Sequence, residues 1–213
     1  STLNSTLFPY TTLFRSVLFG FPTSEQAGSA VAAIIGAGII PAAMECMAKP
    51  AIENCEAFAK AGYPLDVEAL LIVEVEGSDA EMDATLADIT AIARANGATT
   101  VRESRSAIET AAIWKGRKSA FGATGRVADY LCMDGTVPTG KLSYVLAEIS
   151  KIVQRHGLRV ANVFHAGDGN MHPLILYNAP SRTTAHMSNQ TTPRPPDGPA
   201  TVGPKDATGD TYR

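Results

Sequence analysis

The chain has 213 residues, of which 45% are hydrophobic and 18% charged, and its formal net charge is −3. This size and composition fit one or at most two ordinary folded domains, and the scattered Lys and Arg residues argue against nucleic acid or an anionic membrane as a partner. The longest apolar runs are broken by Gly and Pro and fall short of the roughly 20 residues that a transmembrane helix needs.

The cysteines indicate a reducing environment. Cys46, Cys55 and Cys132 are odd in number and lack C-x-x-C spacing. This pattern disfavours a disulfide framework or a cysteine zinc site. We therefore expect a cytoplasmic protein.

The two ends differ in composition from the middle. Residues 1–16 show neither helical nor strand period and lack the basic start and cleavage site of a signal peptide, so we interpret them as a non-native leader that resembles the translation of a sequencing adapter. Residues 180–213 are dense in Pro, Thr, Gly and Asp, which is typical of a disordered tail or of the product of a frame shift. The folded domain is expected over residues 17–179.

Strands and helices alternate along this middle part. In chain order the patterns predict a strand over 17–21, a helix over 23–36, a strand over 39–44, a helix over 50–61, a strand over 68–76, a helix over 78–97, a strand over 99–102, a helix from 106 towards 121, a strand over 130–133, a helix over 142–156, and two strands around a tight turn over 159–177. The strand over 68–76 should be central, because at least one of its faces reads as well buried.

This order favours an α+β fold. We expect helices packed on one face of a mainly antiparallel sheet, like duplicated ferredoxin-like units, ending in a β-hairpin. No internal sequence repeat is visible, so the duplication would be structural only, and a doubly wound fold is the alternative. The Gly36-Ala37-Gly38 segment begins like a dinucleotide fingerprint but lacks the third Gly and follows a helix, so it is excluded as one.

The C-terminal hairpin carries the residues most suited to chemistry. Asp168-Gly169 is a strong turn signal, and a loop centred there places His165 directly opposite His172. Directly paired Cβ atoms lie about 4.5–5.5 Å apart, so both imidazoles could bind one cation at the ~2.0–2.1 Å of a zinc–nitrogen bond. Two histidines do not complete a metal site, and a pair of hydrogen-bonded core histidines is the alternative.

The segment around these histidines also carries a resemblance. His165-Ala-Gly-Asp-Gly-Asn-Met-His172-Pro resembles the H-A-G-D-G-N-x-H-P signature of the FAD-linked oxidase C-terminal domain family. Further segments similar to this family, especially to its glycolate oxidase and D-lactate dehydrogenase flavoproteins, are found at residues 61–64, 114–121 and 130–138. The resemblance covers roughly residues 17–177.

The resemblance implies a site and an activity. In such enzymes an N-terminal domain holds FAD, and the C-terminal domain that this chain resembles caps the flavin ring. The whole enzyme oxidises a small 2-hydroxy acid, of the glycolate or D-lactate type, to the 2-oxo acid. It implies that His165 and His172 ligate a divalent metal (zinc, manganese or iron), that Arg117 grips the substrate carboxylate, and that Asn170 lies near flavin and substrate. For Arg117 the alternative is a solvated basic helix face. The catalytic base is not assigned.

The chain also departs from the family pattern. No Gly-rich FAD-binding domain precedes Val17, and the Glu-His-Gly segment that should supply a further metal ligand does not follow Tyr177. We therefore expect a fragment that is inactive alone, whose parent works with an iron–sulfur electron-transfer subunit in the cytoplasm or peripherally at the inner membrane. The alternative is a stand-alone metal- or carboxylate-binding α+β module without redox activity.

Overall fold

The described part of the chain, residues 13–178 of a computed structural model, forms one antiparallel sheet covered by helices. The strands are β1 (Leu13–Phe21), β2 (Ala43–Ala48), β3 (Ala69–Gly77), β4 (Thr100–Glu103), β5 (Asp129–Cys132), β6 (Gly135–Thr136), β7 (Arg159–His165) and β8 (Asn170–Tyr177). The α-helices are α1 (Ser24–Gly36), α2 (Lys49–Ala59), α3 (Asp79–Ala95), α4 (Ala107–Lys118), α5 (Ala120–Val127) and α6 (Leu142–His156).

The predicted alternation of strands and helices is confirmed, with local differences. Strand β2 begins at Ala43 and not near residue 39, after a segment that contains Pro41, which has no N–H for a sheet ladder. The single helix predicted from residue 106 divides at Ser119 into α4 and α5. The Ser119 hydroxyl donates to the Lys115 carbonyl oxygen at 2.7 Å, a local bond of the kind that competes with a continuous helix.

The predicted duplication is present in the topology. The strand order is β4-β1-β3-β2-β7-β8-β5, with β6 pairing to β8. In the first half, α1 lies between β1 and β2 in the chain, and β3 lies between these two strands in the sheet. In the second half, α6 lies between β5 and β7 in the chain, and β8 lies between these two strands in the sheet, which repeats the same order. The two copies meet where β2 pairs antiparallel with β7, and β3 is central, as expected.

Helices cover both faces of the sheet, and the expectation of one covered face is wrong. One core cluster contains buried residues of α1, α3 and α6, and the other contains buried residues of α2, α4 and α5. The reason is visible in β3, where Leu70, Leu71, Ile72 and Val73 are all fully buried. Successive side chains of a strand point to opposite faces, so such a run requires a core on each side.

Helices α1 and α6, one from each half, pack closely together at Gly28. A Cβ atom on Gly28 in α1 would lie 2.9 Å from the backbone nitrogen of Ser143 in α6. Only a residue without a side chain permits this approach. Helices α1 and α6 therefore pack closely at this position, and both contribute to the same core cluster.

The predicted leader and tail lie largely beyond the described residues. Residues 1–12 and 179–213 are outside them, so the tail stays a prediction. Strand β1 begins at Leu13, before the expected domain start at Val17, and Ser16 is buried, with its hydroxyl accepting from Trp114 Nε1 and donating to Glu74 Oε2, both at 2.9 Å. The adapter origin of the leader also stays a prediction.

Within residues 13–178, no helix has the length and apolar character to cross a membrane.

Candidate functional site

The hairpin between β7 and β8 has a different register from the predicted one. Its loop is a 3-10 turn over Ala166–Asp168, followed by Gly169 in the left-handed region at φ 68°. His165 therefore pairs with Asn170, and His172 pairs with Val163. The prediction that the histidines lie directly opposite each other is wrong, because the 3-10 turn places the loop centre closer to His165.

The two imidazoles nevertheless meet. Residues 163 and 165 share one face of β7, so His165 and His172 are diagonal neighbours on that face. Their ring centroids are 5.3 Å apart with an interplanar angle of 89°. The His172 side chain is 14% exposed and packs edge-on against Phe121 of α5, whereas that of His165 is 47% exposed.

A carboxylate from the neighbouring strand joins this pair to Arg117. The β2–β7 ladder sets Glu45 beside His165, and Glu45 Oε1 lies 2.8 Å from His165 Nδ1. Glu45 Oε2 accepts from Arg117 Nη2 at 2.8 Å and from Nε at 3.2 Å. The side chains of Glu45 and Arg117 are only 12% and 9% exposed. The cluster therefore contains a largely buried ion pair whose carboxylate also contacts an imidazole.

Arg117 reaches this position because α4 packs tightly against Tyr63, in the segment between α2 and β3. The Tyr63 hydroxyl donates to the Ile113 carbonyl oxygen at 2.5 Å, and a Cβ on Gly116 would lie 2.5 Å from Tyr63 Cζ and Oη. Burial of the Tyr63 phenol raises its pKa. Arg117 is buried, while the adjacent Lys118 is exposed, so the two are not parts of one solvated basic face.

Further polar groups surround the histidines. Asn170 Oδ1 is buried and has no hydrogen-bond partner among the described residues. His172 Nδ1 lies 3.8 Å from Asp134 Oδ1. A pocket of about 170 Å³ is lined by residues that include Glu45, His165 and Asp168. The described residues therefore leave an unsatisfied acceptor at Asn170 and an open space beside His165.

The donor set fits part of a metal site. His165 Nδ1 contacts Glu45, which leaves Nε2 of that ring as the nitrogen able to bind a cation. Within residues 13–178, no cluster of three or more His, Cys, Asp or Glu side chains is arranged to hold a metal ion. Two imidazoles fit two of the ligands that such a site needs, and the remaining ligands would have to come from other groups.

The two buried cysteines supply no reactive thiol to this cluster. Cys46 and Cys55, the buried cysteines, are inaccessible within the two cores. Burial raises the pKa of the Cys46 thiol to about 12 and that of the Cys55 thiol to about 11. Neither supplies a thiolate, which is the form that binds metals and acts as a nucleophile.

Sequence reasoning missed Glu45. The signal that could have found it is its place in β2, where an acidic residue stands between buried Met44 and buried Cys46. Asp and Glu are seldom buried without a partner, so a carboxylate within an apolar strand indicates a paired charge. The partner itself comes from α4, far away in the chain, and could not be named from the sequence.

Comparisons with known proteins agree with the signature in the hairpin. A family model described as "FAD linked oxidases, C-terminal domain" matches residues 13–191. The glycolate oxidase subunit GlcD of Escherichia coli (strain K12) is 46% identical over 174 residues, which cover 81% of this chain and 35% of that protein. A mitochondrial D-lactate dehydrogenase (cytochrome) of Kluyveromyces lactis is 28% identical over 174 residues, covering 78% of this chain and 30% of that protein. The chain thus spans about a third of the length of these two relatives.

A solved structure supports the fold. The crystal structure of p-cresol methylhydroxylase with substrate bound superposes with a TM-score of 0.56 at 12% sequence identity, covering 83% of this chain and 41% of that chain. At this identity the likeness concerns the arrangement of helices and strands alone.

Proposed function

This chain belongs to the family of FAD linked oxidases, C-terminal domain, and from that premise we propose that it is the substrate-side cap of a longer FAD-dependent enzyme that oxidises a small 2-hydroxy acid. The names of two relatives, glycolate oxidase and D-lactate dehydrogenase, support glycolate or D-lactate as the type of substrate. The observation that carries the proposal is the cluster on one sheet face, in which Arg117, Glu45, His165 and His172 lie side by side.

Arg117 is proposed to bind the substrate carboxylate. A guanidinium offers parallel N–H donors that match a carboxylate. Its Nε and one Nη2 proton are already directed at Glu45, so the outer Nη1/Nη2 edge would receive the substrate. The ion pair with Glu45 holds the guanidinium in place before substrate arrives, which reduces the entropy lost on binding.

His165 and His172 are proposed as two ligands of a divalent metal, with zinc, manganese or iron as candidates. When bound, such a metal lowers the pKa of a coordinated hydroxyl group. The contact between His165 Nδ1 and Glu45 leaves Nε2 for the metal. The edge contact of His172 with Phe121 limits the rotation of the second ring.

Asn170 is proposed to face the flavin and the substrate. FAD, bound by the rest of the parent enzyme, would supply the hydride-accepting chemistry needed to oxidise the carbon that carries the hydroxyl group. The buried Asn170 Oδ1, which has no partner within residues 13–178, supports this role, because a buried acceptor is normally paired and a ligand could supply the missing donor. An iron–sulfur electron-transfer subunit is proposed as the partner that reoxidises the flavin; one relative is itself named as a subunit.

The metal proposal is tested on the full 213-residue chain. We expect elemental analysis after equilibration with Zn²⁺ or Mn²⁺ to show bound metal in the unaltered protein and its loss in His165→Ala and His172→Ala. His156→Ala is the matched control, because His156 is exposed in the last turn of α6 and far from the cluster in the fold. Equal metal content in all four proteins would refute the assignment.

The redox proposal is tested in a chimera. Residues 13–178 would replace the matching segment of the Escherichia coli glycolate oxidase subunit, and glycolate- and D-lactate-dependent reduction of a dye would be measured. We expect activity that is lost in Arg117→Met and retained in Lys115→Met, since Lys115 is exposed on the same helix. A folded, FAD-loaded but inactive chimera whose cap still binds metal would favour a metal- or carboxylate-binding module without redox activity.

A further inference from the structure

Glu45 holds two functional side chains at once. Its Oε1 contacts His165 Nδ1 at 2.8 Å, and its Oε2 receives Arg117 Nη2 and Nε at 2.8 and 3.2 Å. Both oxygens of an ionised carboxylate can only accept hydrogen bonds, and a guanidinium can only donate them. His165 must therefore donate its Nδ1 proton to Oε1.

We propose that Glu45 is a positioning residue that fixes His165 in the Nδ1–H tautomer and thereby couples the metal ligand to the substrate-binding Arg117. The inference rests on the proposed function of these two residues. With the proton on Nδ1, the lone pair of His165 lies on Nε2, where a cation can bind. A carboxylate that orients a metal-binding histidine in this way commonly strengthens metal binding.

The geometry around Glu45 makes an isosteric substitution informative. In Glu45→Gln the side-chain amide keeps the shape but has one acceptor oxygen and one donor nitrogen. Arg117 can only donate, so the amide oxygen must face Arg117 and the amide NH₂ must face His165. His165 Nδ1 then has to accept, which moves the ring proton to Nε2 and blocks the metal-binding nitrogen.

A double substitution should restore the tautomer. In Glu45→Gln/Arg117→Met the donor that dictates the amide orientation is gone, so the amide can rotate and present its oxygen to His165. The double variant also removes both charges of the buried pair together, which avoids leaving either charge unpaired. Glu74→Gln is the matched control, because Glu74 is a partly buried carboxylate of the same sheet that bonds to Ser16 and not to the cluster.

The experiment records imidazole ¹⁵N chemical shifts of the full chain at about pH 8, where ordinary histidines are neutral. His165→Ala identifies the His165 signals. We expect Nδ1–H in the unaltered protein and in Glu74→Gln, Nε2–H in Glu45→Gln, and a return to Nδ1–H in the double variant. An Nε2–H tautomer in the unaltered protein, or an unchanged tautomer in a folded Glu45→Gln, overturns the proposal.

Metal affinity is the second readout. Titration with Mn²⁺ or Zn²⁺ alone should show about 10–100-fold weaker binding in Glu45→Gln, the loss typical of removing an outer partner of a ligating histidine. Recovery in the double variant supports the tautomer as the cause. If no protein in the series binds metal and the tautomer still changes as expected, the proposed metal site fails while the positioning of His165 by Glu45 stands. If metal binding is lost in His165→Ala and unchanged in Glu45→Gln, the proposed metal site stands and the positioning role of Glu45 fails.

Discussion

Gly169→Ala should damage the hairpin loop on which the site depends. Gly169 has a φ of 68°, a left-handed conformation that costs a residue with a Cβ about 1–2 kcal/mol. A Cβ at this position would overlap the carbonyl oxygen of Val137 and lie 3.2 Å from its carbonyl carbon. The Gly169 carbonyl oxygen also accepts from Val137 N at 2.9 Å, so displacing the loop loses this hydrogen bond as well.

These effects combine to an expected destabilisation of about 2–4 kcal/mol, after allowing about 0.4–1 kcal/mol for the lower entropy of the unfolded alanine chain. For a domain of this size the change lowers the melting temperature by about 10 °C. Circular dichroism of the full chain measures the change in melting temperature during heating and the change in the free energy of unfolding during urea titration.

The matched control is Gly167→Ala in the same loop. Gly167 has an ordinary backbone conformation, and its added Cβ would make only a van der Waals contact, 3.4 Å from Met44 Cβ. We expect its stability to stay close to that of the unaltered protein. Equal stabilities of the two alanine variants would refute the argument that backbone conformation and close approach at Gly169 hold the loop.

Three further predictions concern α4, α3 and the thiols. Gly116→Ala should destabilise the protein by about 1–3 kcal/mol, because the methyl group meets the buried Tyr63 ring, and a melting curve as stable as the unaltered one would contradict this packing. Ser78→Ala removes a capping box and should cost about 1 kcal/mol near neutral pH. The hydrogen bonds from Ser78 lower the pKa of Glu81 below 4.5, so the part of the stabilisation that depends on the Glu81 carboxylate is present above that value and is lost as the pH falls. The difference in melting temperature between the unaltered protein and Ser78→Ala should therefore become smaller in acid. At about pH 8 a maleimide should label the exposed Cys132 and leave the buried cysteines unlabelled until denaturant is added, and mass spectrometry showing equal labelling rates would contradict the burial of these thiols.

Much of the fold was predictable because its signals are local. Hydrophobic period, capping residues such as Ser78 and helix-ending glycines such as Gly157 act within a few residues, so the order of strands and helices could be predicted from the sequence. The run of buried residues in β3 predicted a central strand correctly. The signature from His165 to His172 likewise lies in one continuous segment and indicated the family that the comparisons show.

Other features depended on contacts between distant parts of the chain. The helices on both sheet faces follow from such packing, whereas the division of α4 from α5 and the shifted hairpin register follow from the local Ser119 hydrogen bond and from a 3-10 turn, which residue propensities do not specify.

The pairing of Glu45 with both Arg117 and His165 is the clearest case. The sequence by itself determined that two histidines share a hairpin and that Arg117 lies within a helix-forming segment. Only the tertiary structure brought a carboxylate from β2 between them, because the β2–β7 ladder and the packing of α4 join residues that are 72 and 120 positions apart in the chain.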